Sequence, residues 1–120
     1  GGEPWIGVNP NAVTVNVAAA EADPESVLHF LRLMIRFRKE HLALVYGAFK
    51  LLAREDKRLF AFTREGEGER LLVEINMSGA ETGGAPARPA ATALLSSRGA
   101  AEGAAPGILG PWEARISALR

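Results

Sequence analysis

The sequence contains no cysteine, and among its 120 residues only Asp23 and Asp56 are aspartates. Without cysteine there is no disulfide framework, no thiolate metal site and no thiol nucleophile, so the fold depends on packing alone. The same absence favours a reducing compartment, and we expect the protein to be cytoplasmic. No metal-binding or phosphate-binding motif is present, and no cofactor is expected.

An excess of either charge is also missing. Fourteen basic residues balance fourteen acidic ones, so electrostatics indicates no nucleic acid or membrane surface as a partner. The longest apolar stretch is interrupted by Arg32 and Arg36 and is too short to cross a bilayer. The start, "GGEPWIGVNPN", lacks the basic and apolar regions of a signal peptide.

The segment from Val27 to Phe37 is apolar over most of its helical circumference. Its only polar residues, His29, Arg32 and Arg36, are spaced by three and four residues and therefore share one narrow stripe. A helix of this kind is normally buried on most sides. A domain of this size offers too little surface to surround it, which predicts neighbours from outside the chain.

This helix is predicted to run from about Pro24 to about His41. Asp23 is a suitable N-cap, and proline suits the first helical position. Residues 1–22 contain prolines, glycines and asparagines, which predict an irregular arm.

After the helix, the apolar period changes from helical to alternating, which predicts strands. "RLLVEINM" places Leu71, Val73, Ile75 and Met77 on one face and Glu74 and Asn76 on the other. "VYGAFKLL" and "RLFAFT" give two more strands, and "REGEGER" is typical of a hairpin connection. "WEARISA" gives the last strand, while "ATALL" and "GIL" are candidate edge strands in a stretch rich in Ala, Gly and Pro.

The fold class predicted from these patterns is mostly β. One long α-helix precedes an antiparallel β-sandwich, with the boundary between residues 1–43 and residues 44–120.

No catalytic constellation is apparent. Asp23 is interpreted as a helix cap and Asp56 as a turn residue between strands. His29, on the polar stripe of the helix, is interpreted as structural, and His41 is placed to favour the helix dipole. We therefore assign no catalytic, cofactor-binding or metal-binding residue.

Three weaker signals concern binding and modification. Trp112 alternates with apolar residues and is expected to point into the core, and Trp5 is expected to anchor the arm. The basic residues Arg32, Arg36 and Lys39 are interpreted as a solvated or ion-paired face, not an anion site. Asn76 begins an "NMS" glycosylation sequon that we interpret as a chance match.

Six segments resemble one enzyme family: "PWIGVNPN", "ADPESVLHFLRLMIRFRKEHLALVYGAFKLL", "LFAFTRE", "RLLVEINMSG", "LLSSRG" and "PWEARI". In order and spacing they are similar to the C-terminal portion of α-glucosidase-type enzymes of glycoside hydrolase family 13. The resemblance implies that residues 24–41 are the last helix of a catalytic (β/α)8 barrel. Residues 44–120 would then be the appended β-domain.

The resemblance also implies a parent enzyme that acts with retention on α-linked glucosyl oligosaccharides. Its catalytic carboxylates would lie on barrel segments outside this chain, so the chain alone is expected to be inactive. Its expected partner is that catalytic barrel, and its expected role is to cap and stabilise it. A parent hydrolase, isomerase or transglucosidase would fit the resemblance equally well.

Two readings without a parent enzyme stay open at this point. The chain could be an autonomous carbohydrate-binding module that uses Trp5 or Trp112. It could also be a homo-oligomer that associates through the exposed face of the helix.

Overall fold

The computed structural model describes residue 2 and residues 5–85, 91–99 and 107–120. The chain divides into two compact units, Gly1–Phe37 and Arg38–Arg120. The predicted domain boundary between residues 43 and 44 stays a prediction. None of the helices in the described ranges has the length and apolar composition that crossing a bilayer requires.

The predicted irregular arm contains two short helices, so that prediction is wrong for residues 10–13 and 17–22. A 3-10 helix spans Pro10–Val13, and helix α1 spans Val17–Ala22. The Asn16 side chain caps α1 by accepting a hydrogen bond of 2.8 Å from the backbone N–H of Ala19. The run "VAAAEA" is rich in alanine, the residue with the highest helix propensity, and the alanines outweigh the preceding turn residues.

The long helix, α2, spans Val27–Glu40 and begins three residues later than predicted. Asp23 does not cap it, because its Oδ1 accepts from the backbone N–H of Glu25 at 2.9 Å and forms a turn instead. Ser26 occupies the capping position, with its Oγ accepting from the N–H of His29 at 3.4 Å. The same hydroxyl donates to the Ala20 carbonyl at 2.6 Å, which ties the start of α2 to α1.

The unit Arg38–Arg120 is mostly β, as predicted. A short helix, α3, spans Ala43–Tyr46 and includes Val45, which was predicted to lie in a strand. The strands are β1 Ala48–Leu52, β2 Leu59–Gly66, β3 Glu69–Asn76, β4 Thr82–Gly83, β5 Ala91–Ser96, β6 Ile108–Leu109 and β7 Ala114–Leu119. Five of them form an antiparallel sheet in the order β1-β2-β3-β7-β5, and β4 pairs with β6 in a small second sheet.

The β2–β3 hairpin turns through Glu67 and Gly68, as the "REGEGER" segment predicts. Both residues have positive φ angles, 54° and 79°. Two consecutive positive φ angles are typical of a type I′ turn, whose twist matches that of the paired strands.

The apolar core lies between the two sheets. Leu59, Ala61 and Leu72 of the large sheet pack with Ala85 and with Leu109 of β6. Strand register places Glu74 opposite Ala61 and Asn76 opposite Leu59, so these polar residues project from the same face as the core.

The candidate edge strands are confirmed, since "ATALL" falls in β5 at the sheet edge and "GIL" in β6. The last strand begins at Ala114 and leaves Trp112 in the preceding turn. The stretch rich in Ala, Gly and Pro also includes residues 86–90 and 100–106, which lie outside the described residues.

Candidate functional site

A buried ionic network lies at the start of β7. The Glu113 Oε1 accepts from Arg115 Nη2 at 2.7 Å and from Ser96 Oγ at 3.0 Å. Its Oε2 accepts from the Gly110 backbone N–H at 2.8 Å. Arg115 also donates to the Ile108 carbonyl at 3.0 Å. Both carboxylate oxygens are therefore occupied, and Glu113 serves to hold loops together.

These partners set the protonation of Glu113. Burial acts to raise the pKa of its carboxyl, but the N–H of Gly110, the guanidinium of Arg115 and the hydroxyl of Ser96 together hold that pKa below its ordinary value. The group stays ionised and saturated with hydrogen bonds. It is therefore unsuited to act as a general acid.

Asn76 is the second polar residue that organises these loops, and it is only 1% exposed. Its Nδ2 donates to the carbonyls of Ala80 and Gly110, both at 2.7 Å. Its Oδ1 accepts from the Ser78 backbone N–H at 3.0 Å. An amide that is buried and bonded at both ends has no room for a glycan, which supports the interpretation of "NMS" as a chance match.

Trp112 lies on the turn above this network and does not point into the core, so the sequence prediction for it is wrong. Its side chain is 67% exposed, and its φ angle is +57°. Glu113 N–H donates to the Gly110 carbonyl at 3.1 Å and closes the turn. Proline at the second position and a positive φ at the third are typical of a type II turn, in which the third residue is usually glycine. Alternation alone placed Trp112 in the strand, because it could not locate the turn.

Three loops meet beside Trp112. Its backbone N–H donates to the Ser78 carbonyl at 3.0 Å. Arg98 Nη1 donates to the Pro111 carbonyl at 3.3 Å. A Cβ on Gly110 would overlap the Arg98 guanidinium, so a larger residue there would displace this side chain from the turn.

The other titratable residues named from the sequence have structural partners. Asp56 Oδ1 accepts from the N–H groups of Arg58 and Leu59, and these two bonds lower the pKa of its carboxyl. His29 Nε2 lies 3.0 Å from the Glu21 carbonyl oxygen. Asp56 is a turn residue and His29 is structural, as predicted.

His41 has a partner that sequence reasoning missed. Its Nδ1 lies 2.7 Å from Glu69 Oε2, and Glu69 Oε1 accepts from the Ala43 N–H at 3.2 Å. This pair joins the residues after α2 to the start of β3, and it lines an open cleft of about 740 Å³. No local spacing could have shown the contact, since the two residues are 28 positions apart.

Among the residues that the structure describes, the basic stripe of α2 forms one ion pair. Arg32 Nη2 lies 2.9 Å from Glu21 Oε1, and both side chains are about half exposed. Arg36 and Lys39 are exposed. Nothing in this stripe is arranged to enclose an anion, and no group of three potential metal ligands occurs within the described ranges.

A large apolar surface remains uncovered on α2, which has no buried residue. Val27, Leu31 and Ile35 are spaced by four residues and form one stripe, with exposed fractions of 83%, 54% and 48%. Trp5, in the arm, is 93% exposed. This face of α2 is therefore left exposed, and a cover from outside the chain stays a prediction.

A second apolar surface lies on the large sheet. Phe62 of β2 packs against Phe49 of β1 and Phe60 of β2 in tilted geometry, with ring-centroid distances of 5.0 and 5.5 Å. Phe49 is 53% exposed and Phe60 is 43% exposed. Exposed aromatic clusters on soluble domains usually mark contact surfaces.

Comparison with known proteins shows which enzymes the chain is similar to. No protein-family model matches the sequence. The chain is 43% identical over 77 residues to the oligo-1,6-glucosidase of Parageobacillus thermoglucosidasius, a match that covers 64% of this chain and 14% of that enzyme. It is 34% identical over 113 residues to the glucan 1,6-alpha-glucosidase of Streptococcus pneumoniae serotype 4, covering 94% of this chain and 21% of that enzyme.

The fold gives the same result. The crystal structure of the trehalulose synthase MutB from Pseudomonas mesoacidophila MX-45 superposes with a TM-score of 0.84 at 30% sequence identity. The match covers 98% of this chain and 22% of that chain. The chain thus spans about a fifth or less of the length of the relatives it matches.

The antiparallel sheets and these matches together show that the chain is a C-terminal portion of a glycoside hydrolase family 13 enzyme. The curated relatives within that family are oligo-1,6-glucosidases and a glucan 1,6-alpha-glucosidase. The resemblance stated from the sequence is confirmed.

Proposed function

We propose that this chain caps and stabilises the catalytic (β/α)8 barrel of an α-glucosidase-like enzyme. The single observation that carries the proposal is the exposed apolar stripe of α2, formed by Val27, Leu31 and Ile35. Complete burial of one such side chain contributes about 1.5 to 3 kcal/mol. Covering the stripe would therefore stabilise a complex by several kcal/mol, and the barrel of the same enzyme is the natural cover.

The chain itself is proposed to be catalytically inactive. Hydrolysis with retention needs two carboxyl groups about 5 to 5.5 Å apart across the sugar. Glu113 is buried and bonded at both oxygens, and Glu69 is bonded to His41 and to the Ala43 N–H. These carboxylates are committed to structure, so the reacting groups are proposed to lie on the barrel.

The substrate class is proposed to be α-linked glucosyl oligosaccharides. The curated relatives carry the names oligo-1,6-glucosidase and glucan 1,6-alpha-glucosidase. A structural neighbour is named trehalulose synthase. We propose hydrolysis as the reaction of the parent enzyme, because both curated relatives are named as glucosidases.

The proposal can be tested with a chimera in which this chain replaces the matching C-terminal part of the Parageobacillus thermoglucosidasius enzyme. The chimera should be soluble and should release glucose from isomaltose. The control is the same enzyme truncated before the matched part, which should aggregate because its barrel loses its cover. This chain alone should release no glucose.

Two results would contradict the proposal. One is a truncated enzyme that is as soluble and active as the intact one. The other is glucose release by this chain alone at a rate comparable with that of the chimera.

A further inference from the structure

The indole of Trp112 is presented to solvent by a rigid support. Tryptophan combines a large apolar ring with one N–H donor, and this combination enriches it at binding interfaces. Here the exposed fraction is 67%. The indole Nε1 edge lies against Gly79, about 3.7 Å from where a Cβ on that glycine would be.

The backbone at Trp112 is strained, and the strain is retained. A φ of +57° is unfavourable for a bulky side chain, and glycine would fit the same position in the turn without strain. Outliers of this kind persist where the surrounding structure fixes them, and they concentrate at binding sites. The residue with this φ is also the one whose ring is exposed.

The turn is fixed from three sides, so little ordering is needed on binding. The Trp112 N–H is bonded to Ser78, Arg98 is bonded to Pro111, and Glu113 is anchored in the buried network. A surface that is already ordered loses less entropy when a ligand binds.

The chemistry of this surface matches a sugar ring. An aromatic face carries negative charge density and attracts the weakly positive C–H groups that form the apolar face of a pyranose. Arg98 is exposed and has five N–H groups, of which one is bonded to Pro111. The remaining N–H groups of Arg98 can donate to sugar hydroxyls. The Ser78 hydroxyl donates to Asn76 Oδ1 at 2.7 Å, so toward a sugar it can only accept.

We propose that Trp112, flanked by Arg98 and Ser78, is a non-catalytic site that stacks one pyranose ring of a gluco-oligosaccharide. The site is built from the Arg38–Arg120 unit alone. The site is therefore independent of the role proposed for α2. Only the choice of α-linked sugars as probes rests on the proposed function.

The two tryptophans allow a direct test with the full chain. In Trp5→Phe the only remaining indole is that of Trp112. Titration of this variant with isomaltotriose should give a saturable change in fluorescence with a dissociation constant of roughly 1 mM, the weak end of ligand binding. A change that rises linearly without saturation overturns the proposal.

Binding should then be followed by NMR in variants that keep the fold. Trp112→Gly removes the ring and suits the positive φ, so it should fold and lose affinity at least about tenfold. Trp112→Tyr should retain most of the affinity. The assignment would be overturned if Trp112→Gly bound the sugar with the same affinity as the wild type. It would also be overturned if Trp5→Phe abolished binding while Trp112 was intact. An unchanged circular dichroism spectrum verifies folding in each case.

Discussion

Glu113 and Arg115 form an ion pair that is almost fully enclosed. Arg115 Nη2 lies 2.7 Å from Glu113 Oε1, and the side chains are 4% and 6% exposed, respectively. Residues two apart in an extended chain project from the same face, which brings the pair together. Ser96 of β5 and Gly110 after β6 bond the same carboxylate, so one side chain connects β7, β5 and the second sheet.

We expect Glu113→Gln to lower the free energy of unfolding by about 3 kcal/mol, because it leaves a buried guanidinium without its counter-charge. Urea denaturation of the wild type and the variant measures this difference. The matched control is Glu65→Gln, which breaks the exposed pair with Arg70, whose Nε lies 3.4 Å from Glu65 Oε2. That control should cost less than about 1 kcal/mol. Equal effects at the two sites would show that burial of the Glu113 pair is irrelevant to stability.

The stability difference between wild type and Glu113→Gln should depend on pH. The carboxyl of Glu113 has a pKa below its ordinary value of 4.5 in the folded state. A lowered folded pKa means that the ionised form contributes stability above the unfolded value, and that this contribution is lost as pH falls through the folded value. The difference should therefore be full near neutral pH and should shrink below about pH 4.5. The lowered pKa of Asp56 acts equally in both proteins and cancels. A difference that does not change with pH would be evidence against ionisation of Glu113.

Trp112→Gly should make the chain more stable, in contrast to most removals of a large side chain. A non-glycine residue in the left-handed region costs on the order of 1 kcal/mol or more, and the exposed ring contributes little burial. We expect a gain of roughly 1 kcal/mol, measured by thermal or urea unfolding. Trp112→Ala removes the same ring and leaves the strain, so it should show no such gain. A loss of stability in Trp112→Gly would mean that the contact with Gly79 outweighs the strain.

The sequence predicts the elements whose determinants are local. The apolar circumference of Val27–Phe37 indicates α2, and the glycine of "EGEG" indicates the hairpin at Glu67 and Gly68. The start of α2 was misplaced because Asp23 and Ser26 are both good capping residues. Ser26 differs from Asp23 in that its hydroxyl donates to the Ala20 carbonyl in α1. Because α1 was not predicted, this contact could not be used to choose between the two residues.

The candidate site was predicted poorly, because its geometry depends on residues distant in the chain. Glu74 and Asn76 alternate with apolar neighbours and so indicate a polar face, yet the second sheet covers that face. Their burial is offset by distant partners: Asn76 Nδ2 donates to the Gly110 carbonyl, and Glu74 Oε1 accepts from the Ala85 N–H. For the same reason Trp112 was placed in the core, since its turn is fixed by Ser78 and Arg98.

The central claim is that the Val27, Leu31 and Ile35 stripe is covered by a catalytic barrel. Because the chain has no cysteine, Leu31→Cys introduces a single thiol into the stripe. Its rate of reaction with a soluble disulfide reagent can be compared in the isolated chain and in the chimera freed of other cysteines. Lys57→Cys, in the exposed turn before β2, is the control that should react equally in both. We predict that the Leu31→Cys thiol reacts readily in the isolated chain and at least about tenfold more slowly in the chimera, since a buried thiol is inert. Equal rates in the two proteins would contradict the account.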